Sequence, residues 1–528
     1  MDEQLYATLN KAWNSTCRVL FGDEIGELKT YEPWLAEFTT PLEHSKSILS
    51  GKDVCFMPKI YANGSKWASF DEIDFSRKFE PLNINEIKDI DSLVDAVSER
   101  VCYAGNVVLG NSGEVQESSQ INDSFFVDKV SMMGELKYVS NCTLGRLAEN
   151  CFGCYGAGES EFCIRCSQTY REKRCFEVWM SQNCSDSYYC YNINHCSECI
   201  FCFNIKNRRN CVGNLVLEAS KYRQISEKLI EEIVQGLKKK KKLPSLVEIS
   251  NKSEFRKPKF SYAKEEVQDV AGIKRVVEEE FSKTTGILFG KPLRGVDAYA
   301  KWLGQHVQKM EVRTSAASKA KIPFSQWLIG TQQTPPERSL TAQEAQAFGQ
   351  TVHIDAQEAQ TLTLENAHER IGKLAFFNLE FLEGTNRNLA ECSMCIDSSF
   401  GYCCAALVYS KYCAYSCWPR SSEHAFGCEA LFDSSFCVNC YHSVKLTRCF
   451  ELDTCRSCSD CLFCHNCENV HDSMFCFNVK NLRYAIGNVE VGREKYARVK
   501  GIVLSQISQK LEKDKKLGID IYSIGAGN

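Results

Sequence analysis

The side chains in this sequence best equipped for chemistry are its thiols. Thirty-one of the 528 residues are cysteine. Two runs have the spacing of metal ligands: Cys196, Cys199 and Cys202, then Cys455, Cys458, Cys461, Cys464 and Cys467. A Cys-x2-Cys unit lets two thiolates turn toward one ion, which is how zinc and iron–sulfur clusters are gripped. Taken alone, this spacing points to a Zn or Fe–S cofactor or to a redox-active set of thiols. Whether it can be taken alone depends on the elements that hold the runs.

Those elements occur twice. Ser-Glu-Phe-Cys163-Ile-Arg-Cys166, followed by Lys-Arg174-Cys175-Phe-Glu177, returns further along the chain as Ser-Ser-Phe-Cys437-Val-Asn-Cys440, followed by Thr-Arg448-Cys449-Phe-Glu451. The same shift carries Cys202-Phe-Asn-Ile-Lys-Asn onto Cys476-Phe-Asn-Val-Lys-Asn, and Gly213-Asn214 onto Gly487-Asn488. It continues through a helical stripe, in which Ile225, Leu229, Ile233 and Leu237 match Val499, Val503, Ile507 and Leu511. Upstream, Leu20-Phe-Gly22 and Trp34-Leu35 align with Leu288-Phe-Gly290 and Trp302-Leu303 at a slightly shorter offset. The chain is a tandem duplicate, and a fixed period is the mark of a repeat architecture.

Within each copy the cysteines keep a triplet register. From Cys142 to Cys211 there are twelve, and every separation is a multiple of three; in the second copy only Cys403 and Cys417 leave the register. A nine-residue beat dominates, as in Cys166, Cys175 and Cys184. Helices repeat at 3.6 and strands at 2, so neither accounts for threes and nines. A solenoid does, because each coil stacks like residues on like. A nine-residue coil would have a perimeter of only ~30 Å, so two nonapeptides per coil, about 18 residues, are expected. The fold class is therefore mainly β with α, a tandem-duplicated, cysteine-cored parallel β-solenoid with a 9/18-residue beat. Each copy carries a mixed α/β head and a closing amphipathic helix. The expected boundaries are head 1–105, solenoid 106–217 and closing helix with linker 218–265, then head 266–385, solenoid 386–491 and closing helix with tail 492–528.

The duplication also bears on the thiols. Cys196, Cys199 and Cys211 face Val470, Ser473 and Ala485 in the sister copy, while Cys455, Cys461 and Cys467 face Ser181, Ser187 and Ile193. Valine, isoleucine and alanine cannot ligate a metal, whereas all fill small core slots in which free cysteine acts as a compact hydrophobe. Nor is any run followed by the Cys-Pro of a ferredoxin. Packing is the favoured reading, with no cofactor. Zn or Fe–S at Cys196, Cys199, Cys202, Cys455, Cys458, Cys461, Cys464 and Cys467 is the alternative, alongside a redox-responsive ladder.

Outward positions retained in both copies are the candidate interaction residues: Arg174 and Glu177 with Arg448 and Glu451, and Asp186 with Asp460. They read as one partner surface presented twice or as coil-edge ion pairs. Asp186 and Asp460 stand alone, without the second carboxylate a glycosidase needs, so a solenoid enzyme on polysaccharide or nucleic acid ranks third. Five histidines lie in the solenoids and none keeps its type in the other copy; His195 against Asn469 argues for exposed turns. No dinucleotide, Walker or nucleophile-elbow motif occurs. Lys238 to Lys242 could touch phosphates, but lysines suit a helix C-terminus anyway.

Composition excludes more than it assigns. Hydrophobic residues are 44% and charged ones 25%, as in folded domains. A net charge of -4 gives no nucleic-acid signature. No stretch of ~18 apolar residues suggests a membrane span, and Met1-Asp-Glu-Gln-Leu-Tyr opens no signal peptide. A cytoplasmic location with reduced thiols is the expectation.

The Cys-x2-Cys triplets ending in Phe-Asn-x-Lys-Asn, then Gly-Asn and a Lys-Tyr helix, resemble Cys-rich triplet-repeat proteins of small-genome archaea and candidate-phylum bacteria. The resemblance covers both middles and both closing helices, but not the heads. It implies no activity, and the amino-terminal zinc ribbon common in that group is missing here. The functional expectation is a non-enzymatic structural or interaction scaffold with a multivalent protein partner or self-association, and no small-molecule pocket.

Overall fold

The computed structural model describes residues 2–57, 61–262, 269–325 and 332–524. In the Cys-rich middles about one residue in three is left-handed; Phe162, Arg165 and Gln168, for instance, have φ of 54°, 55° and 53°. The backbone therefore turns a corner every triplet, and four sides bring it back above itself. Cys151 pairs with Cys163, Cys163 with Cys175, Cys175 with Ser187 and Cys199 with Cys211, all in parallel and all twelve residues apart. A left-handed residue other than glycine costs about 1–2 kcal/mol. Inter-coil hydrogen bonds offset that cost, such as Arg165 N–H to the Phe152 carbonyl and Tyr155 N–H to the Cys166 carbonyl, both 3.0 Å.

Twelve residues per coil corrects the expected nine or eighteen. Nine residues forward is one coil up and one side back, and the thiols mark that diagonal. Cys142 Sγ donates to the Ser140 carbonyl at 3.3 Å and to the Cys151 carbonyl, nine residues on, at 3.5 Å. Cys458 does the same toward Arg456 and Cys467, at 3.3 and 3.6 Å. The beat is thus a hydrogen-bonding diagonal inside a twelve-residue coil.

The protein is mixed α/β, with a 14-stranded and a 13-stranded sheet arranged as two roughly duplicated lobes. The triplet register faces inward: Cys166, Cys175 and Cys184 are 1%, 0% and 2% exposed. A second column, Phe152, Ile164, Phe176, Tyr188, Ile200 and Val212, is roofed by the helices Glu3–Phe21 and Ala219–Lys240. Its sister column, from Phe426 to Ile486, lies under Val270–Phe289 and Arg493–Asp514. The two closing helices begin and end at equivalent positions of the two copies, and each stops on a left-handed lysine, Lys241 or Lys515.

The heads also duplicate, but their second halves are exchanged. Residues 332–380 close the last coils of the first lobe, and residues 61–105 close those of the second. Asn204 Nδ2 donates to the Phe376 carbonyl at 2.8 Å; its sister Asn478 donates through Nδ2 to the Cys102 carbonyl at 2.7 Å. Likewise Tyr191 Oη donates to the Asn378 carbonyl, and the Ala104 N–H donates to His465 Nε2. The Gly-Asn signature ends each lobe in a hairpin turn with positive φ at both residues. A Cβ on Gly213 would fall 2.6 Å from Ile354, and one on Gly487 would fall 2.7 Å from Val97. These glycines admit the exchanged segment. No helix among the described residues is long and apolar enough to cross a membrane.

Candidate binding site between the lobes

The outward columns that carry no helical roof face each other. In the first lobe the register runs Asn122, Gly134, Arg146, Gly158 and Tyr170. In the second it runs Glu383, Ile396, Val408, Arg420, Phe432 and Val444. Tyr155 and Leu144 of one lobe join Ala405, Ala406 and Cys417 of the other in a single apolar cluster. Between the columns lies a cavity of about 770 Å³ whose walls also include Met132, Met394 and Trp418. Glycines hollow one wall, while the opposite wall is filled; Trp418 packs edge-on against Phe432 at 5.0 Å. Pairing slips by one residue between Ala406 and Val408. Cys417, one of the two cysteines outside the triplet register, takes the outward position beside the inward Ser416 and so lies in the contact between lobes instead of in a core.

Both columns carry an arginine at equivalent positions, in different electrostatic settings. Arg146 pairs with Glu159 at 3.1 Å, within a network containing Arg171 and Tyr170. Arg420 is half-buried on the cavity wall. Among the described residues its guanidinium has no hydrogen bond, ion pair or ring contact, and the sister of Glu159, Asp433, is exposed.

The cavity also touches a buried polar cluster present only in the second copy. Asp453 is fully buried and accepts from His465 Nδ1 at 2.8 Å, Tyr522 Oη at 2.9 Å, Thr454 Oγ1 at 3.1 Å and His442 Nδ1 at 3.2 Å. Burial pushes its carboxyl up, yet the hydrogen bonds from His442 and His465 hold it well below the usual range. His465 accepts the Ala104 N–H at Nε2, so its proton sits on Nδ1. Burial lowers the affinity of His442 for protons, and Asp453 more than restores it. His442 lines the cavity with its ring fixed by Asp453.

The residues singled out from the sequence fall elsewhere. Arg174 and Asp186 form a bidentate pair at 2.6 and 2.7 Å, and Arg448 and Asp460 repeat it at 2.7 and 2.6 Å. Glu177 and Glu451 are not on a surface: both are 0% exposed. Glu177 pairs with Arg165 at 2.5 Å and accepts the Leu246 N–H; Glu451 accepts from Asn439 and from the Ile521 N–H. Each is retained because it pins the segment after a closing helix onto its lobe. Cys196, Cys199, Cys202, Cys455, Cys458, Cys461, Cys464 and Cys467 are all buried. Among the described residues no group of three or more His, Cys, Asp or Glu side chains is arranged to hold a metal ion. Burial pushes thiols such as Cys175, Cys404 and Cys413 well above their usual range. Lys238 ion-pairs with Asp23 and Lys241 caps its helix.

The histidines are a further correction. His195 is exposed, but His424 and His465 are 5% and 1% exposed, since residues swapped between copies can equally sit where the lobes differ in what covers them. Arg420, His442 and Asp453 went unselected by sequence reasoning. Arg146 and Arg420, retained at equivalent positions of the two copies, were the available signal. No protein family, no curated protein and no solved structure matches this chain.

Proposed function

We propose that the protein is a non-enzymatic β-solenoid scaffold whose working part is the cleft between its two lobes, where it holds an elongated apolar ligand. The observation that carries this reading is the cavity of about 770 Å³ built from equivalent strands of both copies, a size typical of ligand pockets, which are apolar with few polar groups. The polar groups on the filled wall support binding over catalysis. Arg420 and His442 stand two coils apart along the column, ~10 Å at ~4.8 Å per coil, spread along the cleft as suits an elongated ligand.

The test uses Nile red, a neutral apolar dye, with the wild type and Val444→Trp. Tyr170 occupies the sister register of Val444, so an aromatic ring suits the strand while filling the cavity. Saturable binding by the wild type, weakened about tenfold or more in the variant, is expected. Equal binding by both proteins, or none by the wild type, refutes the reading.

A further inference from the structure

Resting on the reading of the cleft as a ligand site, we infer that the ligand is a single apolar chain ending in an oxyanion, carboxylate or phosphate, whose head is held by Arg420. The duplication supplies the comparison. At the equivalent place in the first lobe Arg146 is neutralised by Glu159. In the second lobe the arginine is kept, yet Asp433, exposed and on the wall of the same cavity, does not pair with it among the described residues. A half-buried guanidinium left without a partner among the described residues has given up hydration for nothing within them. Its planar fork of donors matches a carboxylate or phosphate in bidentate fashion.

The neighbours of Arg420 describe the rest of the ligand. Along the column, Arg420 pairs with Val408 and Val408 with Ile396, two coil spacings or ~10 Å of apolar wall. Across the cavity, Gly134 and Gly158 flank Arg146, which leaves depth where a chain would lie. The column ends at Glu383, an anion that disfavours a second acidic group there and so argues for one head and one tail.

The experiment compares decanoate, decyl phosphate and methyl decanoate as competitors of Nile red on the full chain. At least one of the two anions is expected to bind about tenfold tighter than the neutral ester, and the tighter one names the head group. Arg420→Gln should reduce that advantage to about twofold or less while Nile red still binds, showing that the cavity is intact. Arg174→Gln, at an arginine outside the cavity, should leave the advantage unchanged. An ester that competes as well as both anions overturns the inference while leaving the cleft standing. The same holds for an anion preference that survives Arg420→Gln. Failure of Nile red to bind the wild type overturns the cleft reading as well.

Discussion

Glu172 is a carboxyl where the register calls for a small or apolar side chain. It points into the thiol core, 0% exposed, with Cys175 Sγ 3.2 Å from Oε2 and, among the described residues, no partner on Oε1. Burial pushes its carboxyl up to about 8 from an ordinary 4.5. The same slot in the second lobe holds Leu446, also fully buried, so Glu172→Leu introduces a side chain the coil already accommodates. A folded-state pKa above the unfolded one gives the native state extra protons between about 4.5 and 8. The contribution of Glu172 is therefore most favourable below about pH 4.5 and is lost as pH rises through about 8. At ~1.4 kcal/mol per pH unit, the leucine variant should exceed the wild type by less than ~1 kcal/mol near pH 5. The gap should reach ~3 kcal/mol at pH 7 and ~5 kcal/mol above pH 8. Asp128, which burial pushes up to about 7, contributes to both proteins and cancels in the difference. Guanidinium unfolding followed by tryptophan fluorescence at about pH 5, 7 and 9 measures the gap. A gap that does not change with pH, or a variant less stable than the wild type, would show that Glu172 is not a buried neutral acid.

Two other outcomes follow from the coil geometry. Cys461→Ser should cost no more than ~1–2 kcal/mol in the same unfolding measurement: the sister residue Ser187 already bonds the carbonyl two residues back at 2.9 Å, as Cys461 does at 3.2 Å; loss of folding with release of a stoichiometric metal is the opposing result. Because each lobe is closed by a segment of the other copy, two half-chains divided between Tyr262 and Asp269 should co-purify as a 1:1 complex, whereas each half alone should bind a hydrophobic dye at its open end; monomeric, dye-silent halves would contradict the exchange.

How far the sequence can be read depends on how local the cause is. The triplet register is legible because each inward slot is filled from the same position of its own triplet, and free cysteine, valine and serine interchange there. The closing helices are legible for the same reason, since the stripe Ile225, Leu229, Ile233 and Leu237 needs only its own spacing. Coil length is not. A coil is closed by contacts twelve residues apart, but the thiols recur at nine as well as at twelve: Cys142 is followed by Cys151, related to it by a diagonal hydrogen bond, and by Cys154, one coil on. Cysteine spacing alone therefore does not choose between nine and twelve, whereas backbone pairing, to which every residue contributes, selects twelve.

The site lies further from view because duplication hides it in two ways. Retention between copies was expected to mark function, yet Glu177 and Glu451 are retained to pin a segment to its lobe, and Arg174 with Asp186 to join neighbouring coils. Divergence was expected to mark idle surface, yet His442 and Asp453, which face Gln168 and Trp179 in the sister copy, form the buried cluster beside the cavity. The informative signal is a mixture of the two: a residue kept in both copies whose partner is not. Arg146 with Glu159, against Arg420 with an Asp433 that does not reach it, is such a case. It arises where equivalent columns of the two copies meet across one cavity and only one of the two arginines is left unpaired among the described residues. In a fused duplicate a new site can form at that meeting without disturbing either core, because the cores are held by the inward register and the site by the outward one.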